Sequence, residues 1–397
     1  MTPRLGSRDL FPDLRPPVYL NHAGISPLSR RVQQAVVALM ARYGEEGLGA
    51  LPAVIAERED LRGRLAALMG VSAAQIALTE GTSRGVSDIA LGFPWQKGDG
   101  VLLFEGEFPA NITPWQQAAA LFGLELRWAS LEGFGDGSGD GLARVEAALK
   151  EAPVRLIAVS AVQFQTGLAM PLGALADLAH AHGAALFVDG IQGAGVVPYD
   201  LRALGVDFFV CGAHKGWMAS EGAGFAYIAD PAALRPFTAS WLSHTEGLRF
   251  LSEGPGLLRY DRPLRDDAAV LEGGVRNVLG FGALGAAIEA HEQLGIRAIF
   301  GHVQAYHDAL EPLLIEAGFE SERTADPSAR SSILAARPPR GWTVGEVAQA
   351  LGAAGVMVGT PDGRVRFAPH WPNSIDELPQ IAAALATIRA GDPTRSR

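Results

Sequence analysis

The chain reads as an α/β protein built on a seven-stranded, mostly parallel sheet sandwiched by helices, with a smaller α+β unit at its C-terminal end. Three observations predict this. Seven short apolar runs recur at residues 75–79, 101–104, 124–128, 155–160, 184–188, 208–211 and 225–228. Most are separated by longer stretches in which apolar residues return at helical spacing, the crossovers that parallel strands require. Several runs, such as Phe208-Phe209-Val210-Cys211, are apolar without alternation, as expected of strands covered on both faces.

In order along the chain, residues 1–17 are rich in Pro, Arg and Asp and read as an irregular arm. Residues 19–28 enter a turn, and apolar spacing then predicts a helix over 29–43 and another over 51–69, stopped by Gly70. The seven runs and their crossovers follow. Residues 230–270 lack a periodic pattern, whereas 281–294 form an amphipathic helix. Runs at 331–335, 357–358 and 365–367 predict a second, smaller sheet. A last helix is expected from Ser374, an N-cap with Glu377 three residues on, to about Ile388. This divides the chain into an arm and entry segment (1–28), a large domain (29–265), a small domain (266–390) and a disordered tail (391–397).

Composition narrows the function. With 397 residues, 48% of them hydrophobic, the chain can bury a large core. A formal charge of -10 without a basic run argues against nucleic acid or an anionic membrane as partner. No apolar run reaches spanning length, and the first twenty residues lack the apolar core of a signal peptide. The single cysteine, Cys211, cannot form an internal disulfide, which points to a reducing cytoplasm. No metal site is expected, since His180 and His182 have no third ligand nearby. Gly280 to Gly285 matches the spacing of a dinucleotide fingerprint, but no buried strand precedes it and no acid follows at the right distance. Close helix packing explains those glycines better.

The chemistry centres on Lys215. Of three lysines, Lys97 lies in a polar turn and Lys150 closes a helical pattern, while Lys215 follows a buried strand and is flanked by His214 and glycines. An amine there can be partly desolvated and made nucleophilic. Asp189 ends the preceding strand and opens the loop Gly-Ile-Gln-Gly. Either residue alone could simply cap its element. Together they suit a pyridoxal phosphate (PLP) site, in which a lysine holds the aldehyde as a Schiff base and a carboxylate keeps the pyridine nitrogen protonated.

The segments VDGIQGAG (188–195) and AHKGW (213–217) resemble those of the class V aminotransferases, a group of fold-type I PLP enzymes that includes cysteine desulfurases, kynureninase and isopenicillin N epimerase. YLNHAGISPL (19–28), EGTSRG (80–85), EFPANITPW (107–115), FQTG (164–167), LEGGVRN (271–277) and VRFAPHWPNS (365–374) extend the resemblance, in order, over nearly the whole chain. It implies Lys215 as the Schiff-base lysine, Asp189 as the pyridinium partner, and Gln192 as the partner of the phenolic oxygen. Thr82, Ser83 and His214 would touch phosphate, Phe108 would stack on the ring, and Arg366 would grip the substrate carboxylate with a two-pronged hydrogen bond. Asn21 and His22 are expected to line the substrate entrance.

Three departures stand out. Relatives often carry histidine at the Phe108 position, and phenylalanine cannot move a proton. Gly212 and Val275 stand where serine and threonine commonly meet the phosphate, so Arg276 is a candidate substitute reaching across a homodimer interface that would also hold the active site. No cysteine lies between residues 317 and 366, where desulfurases carry theirs, so no protein-bound persulfide is expected. The implied activity is a PLP-dependent one at Cα of a small amino acid. Transamination is placed slightly ahead of Cβ-S β-elimination and epimerisation, and a non-catalytic scaffold or a nicotinamide-dependent dehydrogenase comes last.

Overall fold

The computed structural model describes residues 2–251, 253–274 and 277–390. Val275, Arg276 and the tail 391–397 therefore lie outside the described residues. Within them the strands are β1 (Val18–Tyr19), β2 (Ile76–Thr79), β3 (Gly100–Phe104), β4 (Glu125–Ala129), β5 (Leu156–Ser160), β6 (Ala185–Asp189), β7 (Phe208–Gly212), β8 (Gly224–Ile228), β9 (Glu320–Ser321), β10 (Leu334–Arg337), β11 (Val356–Met357) and β12 (Val365–Phe367). The helices are α1 (Arg30–Glu46), α2 (Leu51–Met69), α3 (Thr82–Gly92), α4 (Thr113–Phe122), α5 (Asp140–Glu151), α6 (Leu172–Ala181), α7 (Val278–Leu294), α8 (Ile296–Glu316), α9 (Val344–Ala353) and α10 (Leu378–Ala390).

Seven strands of the described residues form one sheet in the order β2-β8-β7-β6-β5-β3-β4. All neighbours pair in parallel except at β8, which runs against both β2 and β7. Alternation within each buried strand feeds two cores. Leu102, Ile157, Leu186 and Phe209 pack toward residues of α2, α5, α6 and α7. Val101, Leu103, Phe187 and Val210 pack toward α3 and α4 around the fully buried Trp115. Each such side chain contributes about 1.5–3 kcal/mol of burial, which fixes the sheet as a rigid platform. Chain direction leaves β3 toward β4 and resumes at β5 on the other side, so the crevice opens at the carboxyl ends of these strands.

The smaller sheet is antiparallel, β12-β10-β9, and packs with α8, α9 and α10 around Tyr306, Phe319, Leu334, Leu351, Phe367 and Ile381. The entry segment is stitched into this unit, because β1 pairs in parallel with β11 and Val18 and Leu20 lie in its core. Among described residues, 229–277 hold only short 3-10 turns.

Three local expectations change. The run at 357–358, expected in the smaller sheet, falls at β11, which pairs with β1 in a separate two-stranded sheet. The last α-helix starts at Leu378, after a 3-10 turn capped by Ser374, because Glu377 turns away from that cap to accept from Tyr306 and Asn373. Strand β10 begins at Leu334, since the Ser331 and Ser332 hydroxyls are committed to the Gly167 and Gln192 carbonyls. The glycines of the false fingerprint lie within α7, where a Cβ on Gly282 would come within 2.9 Å of Leu39 on α1. His180 pairs with Asp207 at 2.8 Å, and no metal-binding cluster occurs among the described residues. No described helix is long and apolar enough to cross a membrane.

Candidate active site

Five carboxyl-end segments of the large sheet converge. Strand β6 ends in Asp189, β7 leads to His214 and Lys215, β2 leads to α3, β3 leads to Glu107 and Phe108, and β5 ends in Ser160. Asp189 is 1% exposed, and its Oδ1 accepts from the Ile191 amide at 3.0 Å. Among the described residues no arginine or lysine forms a salt bridge to it. Burial holds its carboxyl well above the usual aspartate value, with the Glu107 charge acting the same way and Lys215 opposing. Lys215 is the complement. Burial holds its amine below the usual lysine value, Asp189 opposes, and Arg366 adds to the depression. Both groups are thus shifted toward their neutral forms by burial, as in a site built to receive a partner.

The walls follow. Phe108, 47% exposed, meets Phe164 edge-on at 5.3 Å, and the Lys215 Nζ lies 5.8 Å from the Phe108 ring centre. Gln192 gives its Nε2 to the Ala23 carbonyl, while its Oε1 is buried without a partner. Helix α3 starts at Thr82 with Gly81 as N-cap at φ 143°, a backbone only glycine adopts freely, and no side chain caps its free N-H groups. Ser83 is exposed there, whereas the Thr82 hydroxyl accepts from Gly212 N at 2.9 Å. A Cβ on Gly212 would stand 3.2 Å from that hydroxyl and 3.1 Å from Ile191, which explains why glycine is accommodated where a serine is more usual. His214 is partly buried, and burial with the nearby Lys215 holds its imidazole below the ordinary value.

The small sheet supplies Arg366, from β12. It is 6% exposed, donates Nη1 to the Phe164 carbonyl at 2.9 Å, and keeps Nε buried without a partner. Burial lowers its guanidinium to about 10, so it remains a cation at neutral pH. Asn21 stands beside it across Gly359, its Oδ1 also unpartnered. His22 is not at an open mouth. It is 5% exposed, and its Nδ1 bonds to Ser26 beneath the Lys215 segment.

Sequence reasoning assigned no role to Glu107, His291 or His370. Glu107 is a buried carboxylate that accepts from Ser160 N, the Ser160 hydroxyl and Gln163, bridging the crevice between β3 and β5. Its place directly before Phe108 and after an apolar strand is the signal that could have found it. Cys211 is fully buried, and burial pushes its thiol far above the reactive range.

The family model for aminotransferase class-V matches residues 18–367. A cysteine desulfurase of Klebsiella pneumoniae is 32% identical over 304 residues, covering 73% of this chain and 70% of that protein. One from Escherichia coli strain SE11 is 30% identical over 312 residues, covering 75% and 73%. Among solved structures, the apo cysteine desulfurase of Thermococcus onnurineus NA1 superposes with a TM-score of 0.83 at 22% identity, covering 94% of this chain and 95% of that one. The cystine C-S lyase C-DES, in complex with its product cysteine persulfide, gives a TM-score of 0.83 at 22% identity over 93% and 97%.

Proposed function

The chain belongs to the class V aminotransferase family, and from that premise we propose that it is a PLP-dependent enzyme acting at Cα of a small amino acid, cleaving a Cβ-S bond by β-elimination. The observation that carries the reading is the meeting of a buried unpaired carboxylate, a partly desolvated lysine amine and a buried arginine with an unpartnered Nε. The residues fit PLP. Lys215 would hold its aldehyde carbon, Asp189 its pyridine nitrogen, and Phe108 would cover its ring. The open amides of α3, with Thr82, Ser83 and His214, would receive its phosphate, and the buried Gln192 amide would face its phenolic oxygen. When bound, PLP supplies an electron sink that acidifies the Cα-H bond of the amino acid joined to it.

The protein's own part follows from charge and proton capacity. Arg366 stays charged and offers the fork geometry that matches a carboxylate, which orients the amino acid beside Asn21. Lys215, drawn down to about 8 by burial, gives up its own proton far more readily than an ordinary lysine, which suits it to take the Cα proton. Phe108 and Phe164 wall that side of the site and carry no proton to hand to a leaving group. A substituent that departs unprotonated is therefore favoured. A thiol of pKa ~8.5 meets that demand, whereas an alkoxide or hydroxide leaving group does not. With cysteine, the balanced products are pyruvate, ammonia and hydrogen sulfide, with one water consumed. Cys211, buried behind the strand, takes no part as a sulfur carrier.

The reading also places two copies of the chain together. An apolar groove of about 800 Å³ between α1, α2, α7 and the segment around Trp241, Leu248 and Leu251 is suited to a second copy. Sedimentation should give a dimer mass, and a fully active monomer would refute that assignment.

The reaction is tested by incubating the enzyme with cysteine, cystine and S-alkyl cysteines and following products. Pyruvate and ammonia in equal amounts support elimination. Transfer of the amino group to an added 2-oxo acid without ammonia release would make the enzyme a transaminase instead.

A further inference from the structure

The backbone that carries Lys215 is held by three buried imidazoles. Ser26 N donates to the His214 carbonyl at 2.8 Å, and Ser26 Oγ donates to the Lys215 carbonyl at 2.8 Å. Since that hydroxyl proton is spent, His22 Nδ1 must donate to Ser26 Oγ, also at 2.8 Å. The next carbonyl, Gly216 O, faces two rings at once, His291 Nε2 at 2.9 Å and His370 Nε2 at 2.8 Å. The His370 tautomer is fixed by its other nitrogen, because Nδ1 accepts from the Trp371 amide at 2.7 Å and so cannot carry a proton. Its single proton sits on Nε2, pointing at Gly216 O. Both His291 nitrogens face carbonyl oxygens, Nδ1 that of Ala287 at 3.2 Å and Nε2 that of Gly216 at 2.9 Å, so the shorter contact favours the proton on Nε2.

The arrangement is tight on every side. A Cβ on Gly216 would fall 2.2 Å from Ala194 O, and one on Gly195 would fall 2.5 Å from the Gly216 carbonyl carbon, so the loop after Asp189 presses directly on this peptide. Met218, two residues on, is held at φ 56°, a left-handed conformation that costs a side chain energy and persists where surroundings over-determine it. The two rings come from separate places, His291 from α7 and His370 from the segment that follows Arg366 on β12. Both are fully buried, and burial keeps their imidazoles neutral, with His22, His302 and Glu292 the other titratable groups acting on them.

We propose that His291 and His370 are positioning residues for Lys215: together they form a neutral two-imidazole clamp on the Gly216 carbonyl that sets where the Lys215 amine stands relative to Asp189 and Arg366. The inference rests on Lys215 being the residue that holds PLP. A clamp of this kind needs two Nε2 donors aimed at one oxygen; His370 supplies one through its fixed tautomer and His291 the other through the shorter of its two contacts.

The test is a pH titration of the visible absorption of the PLP-loaded enzyme in the leucine and glutamine variants at each position. Glutamine can place an amide N-H near the position of Nε2, whereas leucine cannot. Without PLP, burial is the largest influence on the Lys215 amine, followed by Asp189, Arg366 and Cys211. With the clamp released, the nitrogen that joins Lys215 to PLP should shift relative to Asp189 and Arg366, so the midpoint should move by about one pH unit in His291→Leu and His370→Leu. It should stay near the parent value in His291→Gln and His370→Gln. The leucine variants should also lose about tenfold or more in kcat with KM little changed, the mark of misplaced reacting groups rather than lost binding. If a leucine variant is insoluble, the asparagine variant at that position, polar but too short to reach Gly216 O, takes its place. Leucine or asparagine variants that keep the parent midpoint and kcat overturn the clamp. Borohydride-fixed PLP recovered on another lysine in Lys215→Ala would instead overturn the reading of Lys215 itself, so the two failures are distinct.

Discussion

The large and small sheets each deliver one cation to the same crevice, and the two fare differently under similar burial. Lys215, from the end of β7, is drawn below its usual value by burial, against the pull of Asp189. Arg366, from β12, is lowered only to about 10 by burial and keeps its charge at neutral pH. The intrinsic basicity of the side chain thus decides the role. Desolvation converts a lysine into a usable base and leaves an arginine as a permanent anchor for an anion.

Exchanging the two functions breaks the comparison most severely. Lys215→Ala or Lys215→Arg should cut turnover by about 10⁴-fold or more, since neither replacement supplies a neutral amine. Lys97 and Lys150 cannot substitute, because one lies along Gly123 in a surface turn and the other pairs with Glu146 on α5. Steady-state kinetics of the PLP-loaded variants checks this.

Arg366→Lys keeps a charge but loses the fork, and should raise KM for the amino acid by roughly 10-fold to 100-fold with a smaller change in kcat, the loss expected of a charged two-pronged hydrogen bond. A change confined to kcat would mean that Arg366 does not hold the substrate.

Asp189 sharpens the comparison through stability. Its folded carboxyl is raised above the ordinary 3.8, so its contribution to stability is full below about pH 4 and is lost as pH rises through the folded value. Without PLP, Asp189→Asn should therefore melt higher than the parent at pH 8, by a margin that shrinks toward zero near pH 4. With PLP the order should narrow or reverse, because the ring nitrogen then partners the carboxylate. Calorimetry at the two pH values decides it. The smallest effect belongs to Cys211→Ala, for which kcat should stay within about twofold and no sulfur adduct should appear on the parent protein by mass spectrometry.

Legibility in the sequence followed the same division between the sheets. The strands of the platform were readable because, apart from the exposed edge strand β4, they are short runs such as Leu156–Ser160 or Phe208–Gly212 buried on both faces. The C-terminal unit was only partly readable. Helices α8 and α9 were not anticipated, although the Thr343–Glu346 capping box marks the start of α9 as a signal that could have been used. In the site, Lys215 and Asp189 were legible because chemistry demands their types after strands. His291 and His370 were not. Each meets Gly216 from 75 and 154 residues away, and one-dimensional spacing carries no record of a carbonyl shared at that separation.

The account stands most directly on where PLP is attached. Borohydride fixation of the PLP-loaded enzyme, followed by proteolysis and mass mapping, should place the label on Lys215 within the segment Phe208 to Ile228, with the label absent from Lys215→Ala. Label recovered on Lys97 or Lys150, or retained in Lys215→Ala, would contradict it.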